Sequence, residues 1–151
     1  MKKQRFLLSL LCTVFITGCT TSQVGTPTAN ELKPFKTDGC SLFPDGTFKD
    51  KNKWREDCIE HDISYWQGGT EEDRRNADLQ LKHGILSKTG DKHLAKMVYD
   101  TVRTWGSPIF PSWYRWGYGW KYGRGYKELT MGEREQVEKR LQEFYYGQLS
   151  D

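Results

Sequence analysis

Cys58-Ile59-Glu60-His61-Asp62-Ile63-Ser64-Tyr65 is the stretch on which the reading of this 151-residue chain turns. Cys58, His61, Asp62 and Tyr65 stand at i, i+3, i+4 and i+7, so on a helix all four side chains share one face. That face joins a candidate general base to a carboxylate, a phenol and a sulfur. The spacing predicts a helix from about Lys53 to Gln67, stopped by Gly68-Gly69.

Working downstream, Thr70 reads as an N-cap with Asp73 reaching back to it, a variant of the capping box. It opens a second helix to about Ser87, with Ala77, Leu81 and Ile85 on one stripe. A third, from about Lys92 to Trp105, is expected to bury Leu94, Val98, Val102 and Trp105. The fourth begins at Thr130, capped reciprocally with Glu133, and turns Val137, Leu141, Phe144 and Tyr145 inward. No long alternating run marks a sheet, although a short hairpin has room between Trp113 and Tyr126. The fold class read from this pattern is all-α, with one domain over residues 38–151.

Working upstream, Lys2, Lys3 and Arg5 precede an apolar run from Phe6 to Ile16, the pattern of an export signal. A transmembrane helix needs roughly 20 apolar residues, more than this run offers. It ends in Ile16-Thr17-Gly18-Cys19, which resembles the lipobox of bacterial lipoproteins. The resemblance implies a signal peptide over residues 1–18, cleavage before Cys19, a diacylglyceryl thioether on its sulfur and a further acyl chain such as palmitate on its amino group. Thr20, rather than an Asp, resembles the signal for outer-membrane sorting, so the expected location is the cell envelope, at the outer membrane facing the periplasm. From Cys19 to Thr37 the chain is polar, holds Pro27 and Pro34, and reads as a flexible tether. The 18 residues from Thr20 to Thr37, as a flexible coil, would hold the domain roughly 25 Å from its anchor.

The formal net charge of +3 resides in the signal, since removing its three basic residues leaves 20 of each sign. No clustered basic face marks a nucleic-acid partner. Of four cysteines, Cys12 departs with the signal and Cys19 carries lipid. Cys40 and Cys58 remain, and in an oxidising compartment they suggest one disulfide.

Three pieces carry the chemistry. His61 can take a proton from water, and Asp62 points far enough round the helix to hold a cation instead. Asp38-Gly39-Cys40 offers a carboxylate and a glycine whose carbonyl can approach a metal closely. A bridge from Cys40 to Cys58 would pin that loop against the helix of His61. Asp78, 17 residues after His61, shares a stripe with Arg74, Leu81 and Ile85. On an antiparallel helix it can accept from the far nitrogen of the imidazole.

This order of motifs resembles that of secreted phospholipase A2 enzymes, in particular the prokaryotic branch: a D-x-C loop, a C-x-x-H-D helix, a Tyr four residues after the His, and a later Asp. The resemblance spans roughly residues 38 to 85. It implies a core of two antiparallel helices linked by one disulfide to a Ca²⁺-binding loop. It also implies His61 as general base, Asp78 as its orienting partner, Tyr65 as support for Asp78, and Asp38, the Gly39 carbonyl and Asp62 as Ca²⁺ ligands. The implied activity is Ca²⁺-dependent hydrolysis of a glycerophospholipid ester, with a phospholipid or membrane surface as partner and an inhibitor or other envelope protein as restraint. The alternative is an inactive module of the same type that binds membrane or a partner. Animal members carry further cysteines where this chain has Asp57 and Ser64, and Asp45 is a substitute candidate for Asp38.

Other features read more plainly. His83 and His93 lack companions and are expected at the surface. A Zn²⁺ site on His61 and Cys58 lacks the further ligands it would need. The segment from Trp105 to Tyr126 interleaves four tryptophans with Gly, Arg115, Lys121 and Arg124. It reads either as an interfacial surface whose cations meet phosphates or as a lid that fills volume, and six tryptophans in a small chain favour the lid.

Overall fold

The computed structural model describes residues 30–149, which contain four helices and no strand: α1 (Arg55–Gln67), α2 (Glu71–Thr89), α3 (Lys92–Trp105) and α4 (Met131–Gln148). The expected signal peptide over residues 1–18, the expected lipidation site at Cys19 and the rest of the chain up to residue 29 lie outside the described residues. Of the described helices, none is long and apolar enough to cross a membrane. The all-α class is the observed one, and the segment between Trp113 and Tyr126 is turns and bends rather than a hairpin.

Local signals set the helix ends. Both capping boxes form, Thr70 with Asp73 and Thr130 with Glu133, each satisfying two N–H groups that the first turn would leave unpaired. Asp91 accepts from the N–H groups of His93 and Leu94 to open α3, after Gly90 has closed α2 in the left-handed region at φ 69°.

The links between α1, α2 and α3 are short, and the pairings across them run in opposite senses. Tyr65 meets Arg74, His61 meets Asp78 and Asp57 meets Lys88, so numbers fall along α1 as they rise along α2. Asp78 meets Arg103 and Lys82 lies over the Tyr99 ring, which gives the same relation between α2 and α3. Three antiparallel helices thus enclose one core of Trp54, Cys58, Leu81, Ile85, Ala95 and Val98. The Cys40–Cys58 disulfide forms and fastens the loop before α1 to that core. Closing a loop of this length contributes on the order of 3 kcal/mol.

α4 docks elsewhere. Val137, with Leu141 and Phe144 beside it, packs against Leu32, Phe35, Trp66 and Trp120 in a second cluster. Here the expected tether needs correction: residues 30–37 are part of the domain. Leu32 and Phe35 are buried, and Trp66 donates its indole N–H to the Lys33 carbonyl at 2.9 Å. Two apolar residues three apart were too few to show a period, yet each fills a hole between α1 and α4. Two further expectations fail at helix ends. Trp105 is 57% exposed and packs on Phe110 at the end of α3 instead of entering the core. Tyr145 is 51% exposed because Phe144 takes the inward place against Phe35.

The aromatic segment has a physical task that its composition did not disclose. The last carbonyls of a helix have no partner within it. The carbonyl of Tyr65 accepts from the Gly117 N–H, that of Trp66 from the Gly119 N–H, and that of Gln67 from the Trp120 indole. Just beyond, Gly69 accepts from the Trp116 indole and the Lys127 N–H. The segment is the C-terminal cap of α1. It approaches so closely that a Cβ on Gly68 would lie 3.0 Å from the Gly117 Cα. Trp116 and Trp120 are buried in this role, whereas Trp113 is exposed.

Candidate active site

α1 and α2 place His61 and Asp78 face to face, with His61 Nε2 2.8 Å from Asp78 Oδ1. Asp78 is fully buried and His61 nearly so. Tyr65 donates its hydroxyl to the same Oδ1 at 2.8 Å, and Arg103 donates from Nη1 to Oδ2 at 2.7 Å. Burial alone would push Asp78 up, but these donors hold its pKa below the ordinary carboxylate value. The acid is therefore an ionised acceptor. Its bond with His61 needs the proton on Nε2, and the neutral form of the ring that makes this bond carries its lone pair on Nδ1. Burial and the Asp78 charge push the Tyr65 phenol far above its ordinary value, so it remains a donor.

Arg74 completes the support: Nε donates to the Tyr65 hydroxyl at 3.0 Å and Nη2 to the carbonyls of Val102 and Arg103. It ties all three helices beneath the dyad. Arg74 shared the Asp78 stripe in the sequence, which was its only signal. Arg103, on α3, gave none.

The loop before α1 is held as firmly. Asp45 accepts from the Cys40 N–H at 2.6 Å and from Arg55 at 2.8 Å, and Arg55 also donates to the Asp38 carbonyl at 2.9 Å. Asp45 is thus committed to loop structure, leaving Asp38 as the carboxylate of that pair with no basic side chain on it; its Oδ1 accepts from Ser41 at 2.8 Å. Gly39 has φ 90°, and a Cβ there would collide with Arg55 and Asp45.

Asp62 stands between this loop and His61. Thr37 donates to its Oδ2 at 2.7 Å, a contact no spacing foretold, while Oδ1 and the Gly39 carbonyl accept no hydrogen bond from the described residues. Burial pushes its carboxyl up to about 6; Thr37 and His61 oppose this and the charges of Asp38 and Asp45 add to it. A partly buried carboxylate among carboxylates is short of positive charge. The available donors are all hard oxygens, the chemistry that suits Ca²⁺. Among the described residues no three His, Cys, Asp or Glu side chains cluster as a metal centre of side chains alone would need. The expected set is two carboxylates and a carbonyl.

Two cavities meet at Asp62. The smaller, about 400 Å³, has His61 in its wall and is otherwise mainly apolar, with Phe43, Leu81, Val98 and Val102. Leu42, Met97 and Trp105 line it and are exposed, so its rim is apolar too. The larger, about 840 Å³, is lined by Lys33, Lys36, Asp38 and Arg115 among others. They share Ser41, Asp62 and Tyr114. His83 and His93 lie at the surface, away from both. Comparison of the chain with protein-family models, with curated proteins and with solved structures gives no match.

Proposed function

We propose that this chain is a Ca²⁺-dependent ester hydrolase of the secreted phospholipase A2 type, acting on a glycerophospholipid and tethered to the cell envelope through Cys19. The observation that carries this reading is the buried His61–Asp78 bond beside the wall of a mainly apolar cavity that His61 helps to line. Its apolar rim suits a substrate drawn from a lipid surface.

In the reaction His61 Nδ1 accepts a proton from water as the water oxygen bonds to the ester carbonyl carbon. Asp78 holds the ring in the productive tautomer and stabilises the imidazolium, as a buried acid does in hydrolytic triads. As the tetrahedral adduct collapses, the bond from carbon to the glycerol oxygen breaks and His61 returns its proton to that oxygen. A fatty acid and a lysophospholipid result. Asp38, the Gly39 carbonyl and Asp62 are the residues that would hold Ca²⁺. When bound, it polarises the carbonyl and stabilises the charge developing on its oxygen.

The test is release of fatty acid from mixed micelles by the full chain, with Ca²⁺ and with chelator. We expect release that requires Ca²⁺ and falls by roughly 10² to 10⁴-fold in His61→Gln. If the chelator makes no difference, or His61→Gln retains the rate, the assignment is wrong and an inactive binding module takes its place.

A further inference from the structure

The larger cavity holds a charge that this mechanism does not use. Arg115 lines it and is only 6% exposed. Its Nη2 donates to the Trp120 carbonyl at 2.8 Å, and its guanidinium lies 5.4 Å from the Tyr122 ring centre. No carboxylate pairs with it among the described residues. Other arginines of the domain are accounted for: Glu133 grips Arg124 with both oxygens, and Arg74 and Arg103 serve Tyr65 and Asp78. A buried guanidinium without a counter-charge is costly, and burial pushes its pKa down from the ordinary value, though an arginine remains charged near neutrality. Such a group pairs with an anion when one is supplied.

The surroundings favour one anion. Lys33 and Lys36 line the same cavity, as does Ser112, whose hydroxyl is buried with no hydrogen-bond partner among the described residues. A planar fork, two mobile ammonium groups and a spare hydroxyl suit the several oxygens of a phosphate. The only carboxylates in the wall, Asp38 and Asp62, are those assigned above to a cation. Because both cavities share Ser41, Asp62 and Tyr114, one ligand can reach His61 with an ester and Arg115 with an anionic group.

We propose that the larger cavity is the headgroup pocket of the lipid substrate, in which Arg115 binds the phosphodiester with Lys33, Lys36 and Ser112 as further donors. Placing a lipid there rests on the hydrolase reading; the need for an anion at Arg115 does not. The test is calorimetric binding to the full chain in an uncharged maltoside detergent, with a short-chain diether phosphatidylglycerol, which cannot be hydrolysed, and with inorganic phosphate. We expect the diether lipid to bind at least tenfold more tightly than inorganic phosphate. Arg115→Gln should weaken its binding by about 10- to 100-fold, the range for a charge-assisted contact, and Arg115→Lys should restore part of it. Should Arg115→Gln fail to fold, Lys36→Gln at an exposed position is expected to weaken lipid binding by about threefold. Unchanged lipid affinity in both variants overturns the pocket, and equal affinity for inorganic phosphate overturns the headgroup assignment. A chain that binds the diether lipid through Arg115 but releases no fatty acid keeps the pocket and loses the hydrolase. Release of fatty acid with Arg115 indifferent to binding does the reverse.

Discussion

Asp62 and Asp78 are both carboxylates beside one imidazole, and their surroundings drive them apart. Asp78 has donors on both oxygens and stays ionised; Asp62 has Thr37 on one oxygen and none of the described residues on the other. Its carboxyl is pushed up to about 6 from an ordinary 3.8. The folded state therefore keeps a proton that the unfolded chain has already lost between about pH 4 and pH 6. The stability this supplies is complete below the unfolded value and gone once pH passes the folded one. At pH 7 without cation, ionised Asp62 weighs against the fold. Asp62→Asn is expected to raise stability by about 1 to 2 kcal/mol in urea unfolding, and Ca²⁺ should stabilise the parent chain but not the variant. An equal response to Ca²⁺ in both would remove Asp62 from the ligand set. At this scale the sequence was informative where one helix carried the pattern. It was silent on Thr37 and Arg103, whose roles depend on chain returning from far away, and it offered Arg115 only as one of three cations that could meet phosphates, without its burial.

At the scale of elements, the dyad is as rigid as the joint between α3 and the segment that follows. Gly106 caps α3, and a Cβ there would lie 2.7 Å from the Tyr65 hydroxyl and from the Val102 carbonyl. Neither can yield easily: Tyr65 is fixed by Asp78 and Arg74, and the carbonyl belongs to the helix. Gly106→Ala should therefore push Tyr65 off Asp78. We expect about 1 to 3 kcal/mol of lost stability by thermal unfolding and a fall in fatty-acid release larger than stability alone explains. If release per folded molecule is unchanged, Tyr65 does not position Asp78. The capping signals at Thr70 and Thr130 were legible because a cap is made within four residues, whereas the Asp91 cap on α3 emerged from the structure. The cap on the other end of α1 was not, since it is supplied by residues 116–120, some fifty positions on.

Across the whole molecule, Glu133 is where separate parts of the chain are clasped. It accepts from Arg124 at 2.6 and 3.1 Å, from the Thr130 N–H at 2.9 Å and from Asn30 at 3.1 Å, joining α4 to the aromatic segment and to the N-terminal strip. Bonding to Arg124 holds its carboxyl down at about 2, against an ordinary 4.5. The folded value lies below the unfolded one, so this stabilisation is whole above about pH 4.5 and is lost as pH falls through 2. Urea midpoints measured from pH 5 to pH 2.5 should decline in the parent chain, and Glu133→Gln should lower the starting value and flatten the decline. A variant with the parent slope would show that the clasp does not govern acid stability.

Periodicity, caps and cysteine counting, read along the chain, were enough to determine an all-α domain with the starts of its four helices placed to within about two residues, and the identity of the face bearing His61. These signals act over one or two helical turns, so they are written where they operate. Tertiary structure alone decided that residues 30–37 belong to the core, that the tryptophans of 116–120 cap α1, that Arg74 and Arg103 brace Asp78, and that Arg115 is buried against an open cavity. Each of those depends on which distant segment supplies a partner to a polar group. That choice is made when the helices pack and water is excluded between them.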